Sequence, residues 1–145
     1  MAKVLAFNIS KEKGVPKEEV GAVTFVEGSG IEGDAHAGPG LRQVSLLAKE
    51  SADKIREIMP EISNGRFAEN VTTEGVSLNT LPIGTEIWLD GRVLLQVTQI
   101  GKECHGGCAI KQIVGDCVMP REGIFARVLK GGTVSPGCEL VIIGE

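Results

Sequence analysis

The chain has 145 residues, 42% of them hydrophobic and 23% charged, with a formal net charge of -4 at pH 7. A chain of that size buries a core of its own without disulfide or metal staples and reads as one domain. The acidic balance argues against broad binding to nucleic acid or to an anionic membrane surface, and no apolar run approaches the ~20 residues that span a bilayer.

The segment Met1–Phe7 holds a lysine and a few apolar residues, too short for a secretory h-region, so a cytoplasmic location is expected. The four cysteines, Cys104, Cys108, Cys117 and Cys138, are then not expected to form structural disulfides. Strand signals open the chain. Lys3–Ile9 is apolar, and Val20–Val26 repeats that character after a Gly-Val-Pro loop. A glycine-rich loop follows from Gly28 to Gly40, and Arg42–Leu47 reads as a short strand. Ala48, Ala52, Ile55, Ile58 and Met59 fall at helical spacing, and Pro60 closes that run.

A polar segment, Asn64–Gly75, leads to a turn at Leu81-Pro82-Ile83-Gly84. Glu86–Leu89, Asp90-Gly91 and Arg92–Ile100 make the best hairpin signal, because Asp-Gly suits a type I′ turn. A second short helix is expected over Arg121–Lys130, with Ile124, Phe125, Val128 and Leu129 inward and Gly131 as its cap. Glu139–Ile143 closes the chain as a strand, and Cys138 just before it reads as a packed residue. The expected fold is mostly β (α+β), a closed or nearly closed barrel with two short helices.

Four stretches could carry chemistry. In Gly101-Lys102-Glu103-Cys104-His105-Gly106-Gly107-Cys108 a cysteine lies directly beside a histidine, with a second cysteine four positions on. Neighbouring positive charge favours the reactive thiolate, so Cys104 with Lys102 and His105 is a candidate nucleophile or sulfur carrier. Zinc ligation with Cys108 and Cys117, a redox pair and plain buried cysteines are the competing readings. Asp34 and His36 share the glycine-rich loop, and Arg42 follows it, a residue suited to an anion. Arg66, Glu69 and Asn70 supply a guanidinium, a carboxylate and a carboxamide within one polar stretch. Arg121 opens Arg121-Glu122-Gly123, where a helix start would favour an anion. Three arginines on separate segments make one anion pocket if the fold gathers them.

The motifs Gly30-Ile31-Glu32-Gly33-Asp34-Ala35-His36, Arg42-Gln43-Val44-Ser45-Leu46-Leu47, Gly65-Arg66-Phe67-Ala68-Glu69-Asn70 and Val97–His105 occur in that order, followed by Cys117–Arg127 and Lys130-Gly131-Gly132. In this order they resemble the MOSC domain, the C-terminal domain of molybdenum-cofactor sulfurases, in its small stand-alone prokaryotic form. The resemblance covers nearly the whole chain, residues 1–145, as one MOSC-like domain. It implies a β-barrel that handles sulfur or the molybdopterin form of the cofactor. By motif position Cys104 would carry persulfide sulfur or ligate molybdenum. Lys102 and His105 would then stabilise its thiolate, and Cys108 would resolve the persulfide or guard it. Arg66, Asn70 and Arg121, with Asp34, His36 and Arg42, would hold the pterin and its phosphate.

No lysine motif for pyridoxal phosphate is present, so a cysteine desulfurase-type partner would supply the sulfur. A molybdoenzyme or a cofactor-biosynthesis protein would receive it. The resemblance also admits a cofactor-dependent reductase of N-hydroxylated compounds, and the cysteine cluster still admits a non-catalytic cofactor-binding or structural zinc module.

Overall fold

The computed structural model describes residues 2–11, 17–35, 37–40, 43–50, 53, 69–76, 78–100 and 123–143. Within them lie β1 (Lys3–Ile9), β2 (Glu18–Val20), β3 (Val23–Val26), β4 (Gly30–Ile31), β5 (Val44–Ala48), β6 (Val71–Glu74), β7 (Glu86–Leu89), β8 (Val93–Ile100), β9 (Ile124–Lys130), β10 (Gly132–Val134) and β11 (Leu140–Ile143). Eight strands form one sheet in the order β11-β7-β8-β9-β5-β6-β1-β2, and a second sheet runs β10-β3-β4.

The expected barrel is corrected by that order, because no ladder joins the edge strands β11 and β2 among the described residues. The reason lies in β1, whose edge away from β6 is divided between two partners. Phe7, Asn8 and Ile9 pair with β2. Nearer its start, β1 meets the chain before β11, where Val4 N–H donates to Cys138 C=O at 3.0 Å and Gly137 N–H to Val4 C=O at 2.7 Å. A short seam of this kind, with one bridge between Lys3 and Glu139, takes the place of a closing ladder.

The second expected helix is also corrected, because Ile124–Lys130 is strand β9. Helical spacing of its apolar residues misled because β9 lies between two partners. It pairs with β8 along its length and with β5 at Ile124, Phe125 and Ala126. Ile124, Phe125 and Ala126 are all buried, so both faces of the start of β9 are covered and it lacks the alternation of a half-exposed strand. Gly131, expected as a helix cap, instead links β9 to β10. A Cβ there would lie 2.4 Å from the Phe25 carbonyl oxygen, so only glycine lets β3 approach. Of the first expected helix, Ala48 is instead the last residue of β5, Lys49, Glu50 and Asp53 are helical, and the rest falls outside the described residues. No complete α-helix lies among the described residues; a 3-10 turn, Leu78–Thr80, precedes β7.

The hairpin forms, with its second strand starting at Val93, opposite Leu89, and not at the expected Arg92. Asp90 and Gly91 both have positive φ, 54° and 63°, as the turn requires, and Arg92 N–H closes it onto Leu89 C=O at 3.0 Å. The stretch Val20–Val26 is two strands in two sheets, broken at Gly21 and Ala22. The core gathers Val4, Phe7, Phe25, Leu46, Val71, Leu95 and Ile124, all buried. Phe7 and Phe25 meet edge to face with centroids 5.9 Å apart, joining the two sheets.

β5 and β6 run parallel, with Leu46 opposite Val71. Parallel neighbours need a long crossover, and the segment between Ala48 and Val71 supplies it. That crossover delivers Glu69 and Asn70 to the start of β6, beside the end of β1. The candidate site begins there.

Candidate functional site

At the end of β1, Asn8 and Ser10 come against the start of β6 and the glycine-rich loop. All the polar groups here are buried: Asn8, Ser10, Lys17, Asp34, Ser45, Glu69, Asn70 and Thr72. Burial of so many polar side chains is costly unless each is hydrogen-bonded, and the bonds are there.

Lys17 stands just before β2 with its ammonium wholly enclosed. Its Nζ lies 2.7 Å from Asp34 Oδ1, and the side chains of both residues are 0% exposed. The same ammonium donates to Ser10 Oγ at 3.3 Å. Asp34 Oδ1 also accepts the Ser10 N–H at 3.1 Å. Burial alone would raise the Asp34 pKa, but the Lys17 hydrogen bond and charge, the Ser10 N–H and the Asn70 side chain outweigh it. The carboxyl is held below its ordinary 3.8. The loop is tied in by main chain as well, since Ala35 N–H donates to Ser10 C=O at 2.7 Å.

Asn70 is the hub. Its Oδ1 accepts from the Ser45 N–H at 3.0 Å and from Ser45 Oγ at 3.2 Å. Its Nδ2 donates to the Asn8 carbonyl at 3.1 Å and its side chain reaches Asp34. One carboxamide therefore joins β1, β5, β6 and the glycine-rich loop. Asn8 Nδ2 in turn donates to the Glu69 carbonyl at 3.2 Å and to Thr72 Oγ1 at 3.0 Å. Thr72 Oγ1 passes a bond to Glu69 Oε2 at 3.2 Å. The Asn8 Oδ1 atom is buried without a hydrogen-bond partner.

Of the residues singled out in the sequence, Asp34 and Asn70 are described, and the structure brings them together. His36, Arg42, Arg66, Lys102, Cys104, His105, Cys108 and Arg121 lie outside the described residues, as does Cys117. Cys138 is free and packs against the core. Burial raises its thiol pKa and the Asp90 charge raises it further, which disfavours the thiolate. Among the described residues no group of three His, Cys, Asp or Glu could hold a metal ion. Asp34 and Asn70 are bonded to protein partners and hold this network together. No helix of the described residues is long and apolar enough to cross a membrane.

Sequence reasoning missed Lys17, Ser10, Asn8 and Ser45. Lys17 sits in a run of charged residues that reads as a solvated loop, and nothing local marks it as buried. Asn8 carried a weak signal, since a carboxamide within an apolar strand needs partners.

The model of the MOSC domain matches residues 32–141, from the glycine-rich loop to β11. The chain belongs to the MOSC domain family. That family is associated with molybdenum-cofactor function. Solved structures of the same fold include the YuaD protein from Bacillus subtilis, 20% identical with a TM-score of 0.82, covering 100% of this chain and 97% of that one. YiiM from Geobacillus stearothermophilus is 22% identical with a TM-score of 0.73, covering 99% of this chain and 75% of that one. YiiM from Escherichia coli is 20% identical with a TM-score of 0.68, covering 99% and 70%. At such identities the likeness carries the fold. No curated protein sequence matches the chain.

Proposed function

We propose that this MOSC protein binds a molybdopterin-type cofactor and carries sulfur through Cys104. The observation that carries the reading is the family match over residues 32–141, which spans the Cys104-His105 motif and the three segments that carry Arg42, Arg66 and Arg121. The bound cofactor would supply a molybdenum centre and a phosphate-bearing pterin. The chain's own residues divide into two groups. Arg42, Arg66 and Arg121, with His36, offer charge and hydrogen bonds to the phosphate and pterin. Asp34 and Asn70 hold the loop and the start of β6 in register, and so act on the cofactor through the residues they position.

Sulfur loading is a thiol–persulfide exchange. The Cys104 thiolate attacks the outer sulfur of a donor persulfide, a new sulfur–sulfur bond forms, and the donor leaves as its thiolate. No electrons are gained or lost overall. Lys102 and His105 favour the attacking thiolate by their charge. Cys108 would resolve the persulfide or guard it from over-oxidation. A cytoplasmic cysteine desulfurase is the class of donor, and a molybdoenzyme or cofactor-biosynthesis protein the class of acceptor.

The test is peptide mass spectrometry of the unreduced protein after incubation with a cysteine desulfurase and free cysteine. One sulfur added at Cys104, absent in Cys104→Ala, is the expected result. An unmodified Cys104 beside bound molybdenum would replace the carrier reading with that of a cofactor-holding reductase. Zinc without either would return the cysteines to a structural role.

A further inference from the structure

The β5·β9 ladder pairs Leu46 with Ile124, Ser45 with Phe125 and Val44 with Ala126, and β5 begins at Val44. Beyond that point Val128 still presents its main-chain groups, and two different segments satisfy them. Its carbonyl accepts the Gly28 N–H at 3.0 Å. Its N–H donates to Gln43 Oε1 at 2.9 Å, so a side chain stands where a longer β5 would bring main chain. The other end of the same carboxamide donates from Nε2 to the Gly40 carbonyl at 3.1 Å.

Gln43 also holds the near side of the loop through its backbone. A Cβ on Gly30, whose φ is +139°, would lie 2.5 Å from the Gln43 carbonyl oxygen, so that approach requires glycine. Gly38 N–H donates to Ser29 C=O at 2.9 Å, which closes the loop across itself. One residue, 5% exposed, thus connects β9, the loop's exit at Gly40 and its entry at Gly30. The bonding needs one acceptor and one donor at fixed separation on a planar group, which a glutamine supplies and a glutamate or methionine does not.

We propose that Gln43 is a positioning residue: its carboxamide replaces one rung of the β5·β9 ladder and fixes the main chain directly after Arg42. The consequence for function rests on the reading that Arg42 helps to hold the cofactor's phosphate. Arg42 is joined covalently to the residue that is pinned. An arginine whose backbone is held in advance pays less ordering entropy when it meets an anion.

The experiment compares full-length wild type, Gln43→Met, Gln43→Glu, Arg42→Ala and the Arg42→Ala/Gln43→Met double variant. Amide hydrogen exchange reads the rung, with Val97, whose N–H donates to Thr85 C=O on the side of β8 away from β9, as internal reference. In Gln43→Met the Val128 amide is expected to lose about tenfold in protection relative to Val97. In Gln43→Glu it stays protected, since a carboxylate still accepts from it. Unchanged Val128 protection in Gln43→Met, or equal loss in Gln43→Glu, overturns the rung.

Affinity for molybdenum cofactor released from a donor molybdoenzyme reads the consequence. Gln43→Met is expected to weaken binding about tenfold, and to add little once Arg42 is already alanine. Full additivity would overturn the link to Arg42, because a general loss of order would weaken binding regardless of that side chain. Wild type that binds no cofactor, with Val128 protection still lost in Gln43→Met, would refute the cofactor reading and leave the rung standing.

Discussion

The two ends of the main sheet are held in different ways. At one end, around Lys17, Asp34 and Asn70, buried polar groups from segments far apart in sequence bond to one another; the Asn70 and Asn8 bond alone spans 62 positions. At the other, β7 and β8 form a local hairpin and β11, from far along the chain, pairs with β7; Ile87, Leu89, Val93 and Leu95 are buried in the core and neighbouring side chains meet on the outer face. There Lys130 lies over the Trp88 ring, 5.6 Å from its centroid. The apolar end tolerates change because its contacts are many and individually small. The polar end does not, because removing one member strands its buried partner.

The sharpest break in that contrast is Lys17→Met. It leaves the Asp34 carboxylate enclosed without its ammonium, and removal of one partner from a buried pair costs about 3–5 kcal/mol. Urea titration should show a large drop in midpoint. A loss like that of an exposed lysine would mean that the pair is hydrated in solution.

Asn70→Ala comes next. It deprives the Ser45 N–H of its acceptor, at about 1–3 kcal/mol for each buried group left unpaired. Denaturant unfolding measures the loss, and coupling to Lys17→Met in a double-mutant cycle should be non-additive through Asp34. Gly131→Ala, whose Cβ would strike the Phe25 carbonyl, should cost about 1–3 kcal/mol by overpacking. That loss belongs to the junction of the sheets and should add independently to either polar variant. Lys130→Met, at the apolar end, removes a half-exposed cation–π contact worth about 0.5–1 kcal/mol. A drop as large as that of Lys17→Met would erase the distinction between the ends.

Acid sharpens the same comparison. The folded chain holds the Asp34 pKa below its ordinary 3.8, so the stabilisation is fully present above that value. It is lost as pH falls from there through the lower folded value, because the unfolded chain takes up the proton first. Stability measured from pH 6 to 2 (a range of about four units, chosen to bracket ordinary carboxylates) should fall more steeply in wild type than in Asp34→Asn. Identical acid limbs would show that Asp34 is not held in its charged form by Lys17.

Reading from sequence worked where a residue's partner is near in the chain. β1 and the Asp90-Gly91 hairpin follow from apolar patterning and turn chemistry, and both are local. The family motifs located Asp34 and Asn70 together, though not the reason for their proximity. What escaped was set by distant pairing. Ile124–Lys130 has the spacing of a helix, and its two strand partners, Leu46 and Ile100 among their residues, decide otherwise. Asn64–Gly75 reads as a polar loop, yet Val71–Glu74 is a strand because β1 and β5 flank it. Lys17 carries no local sign of burial, because only the fold brings Ser10 and Asp34 around it.

The central claim is that the polar end is the scaffold of a molybdenum-cofactor site. The most direct measurement is calorimetric titration of the full-length protein with molybdenum cofactor released from a donor molybdoenzyme, run on wild type, Asp34→Asn and Lys130→Met. The account predicts stoichiometric binding by wild type and Lys130→Met, and weakened binding by Asp34→Asn at a temperature where that variant is still folded. Equal affinity in all three, or no binding by folded wild type, would contradict it.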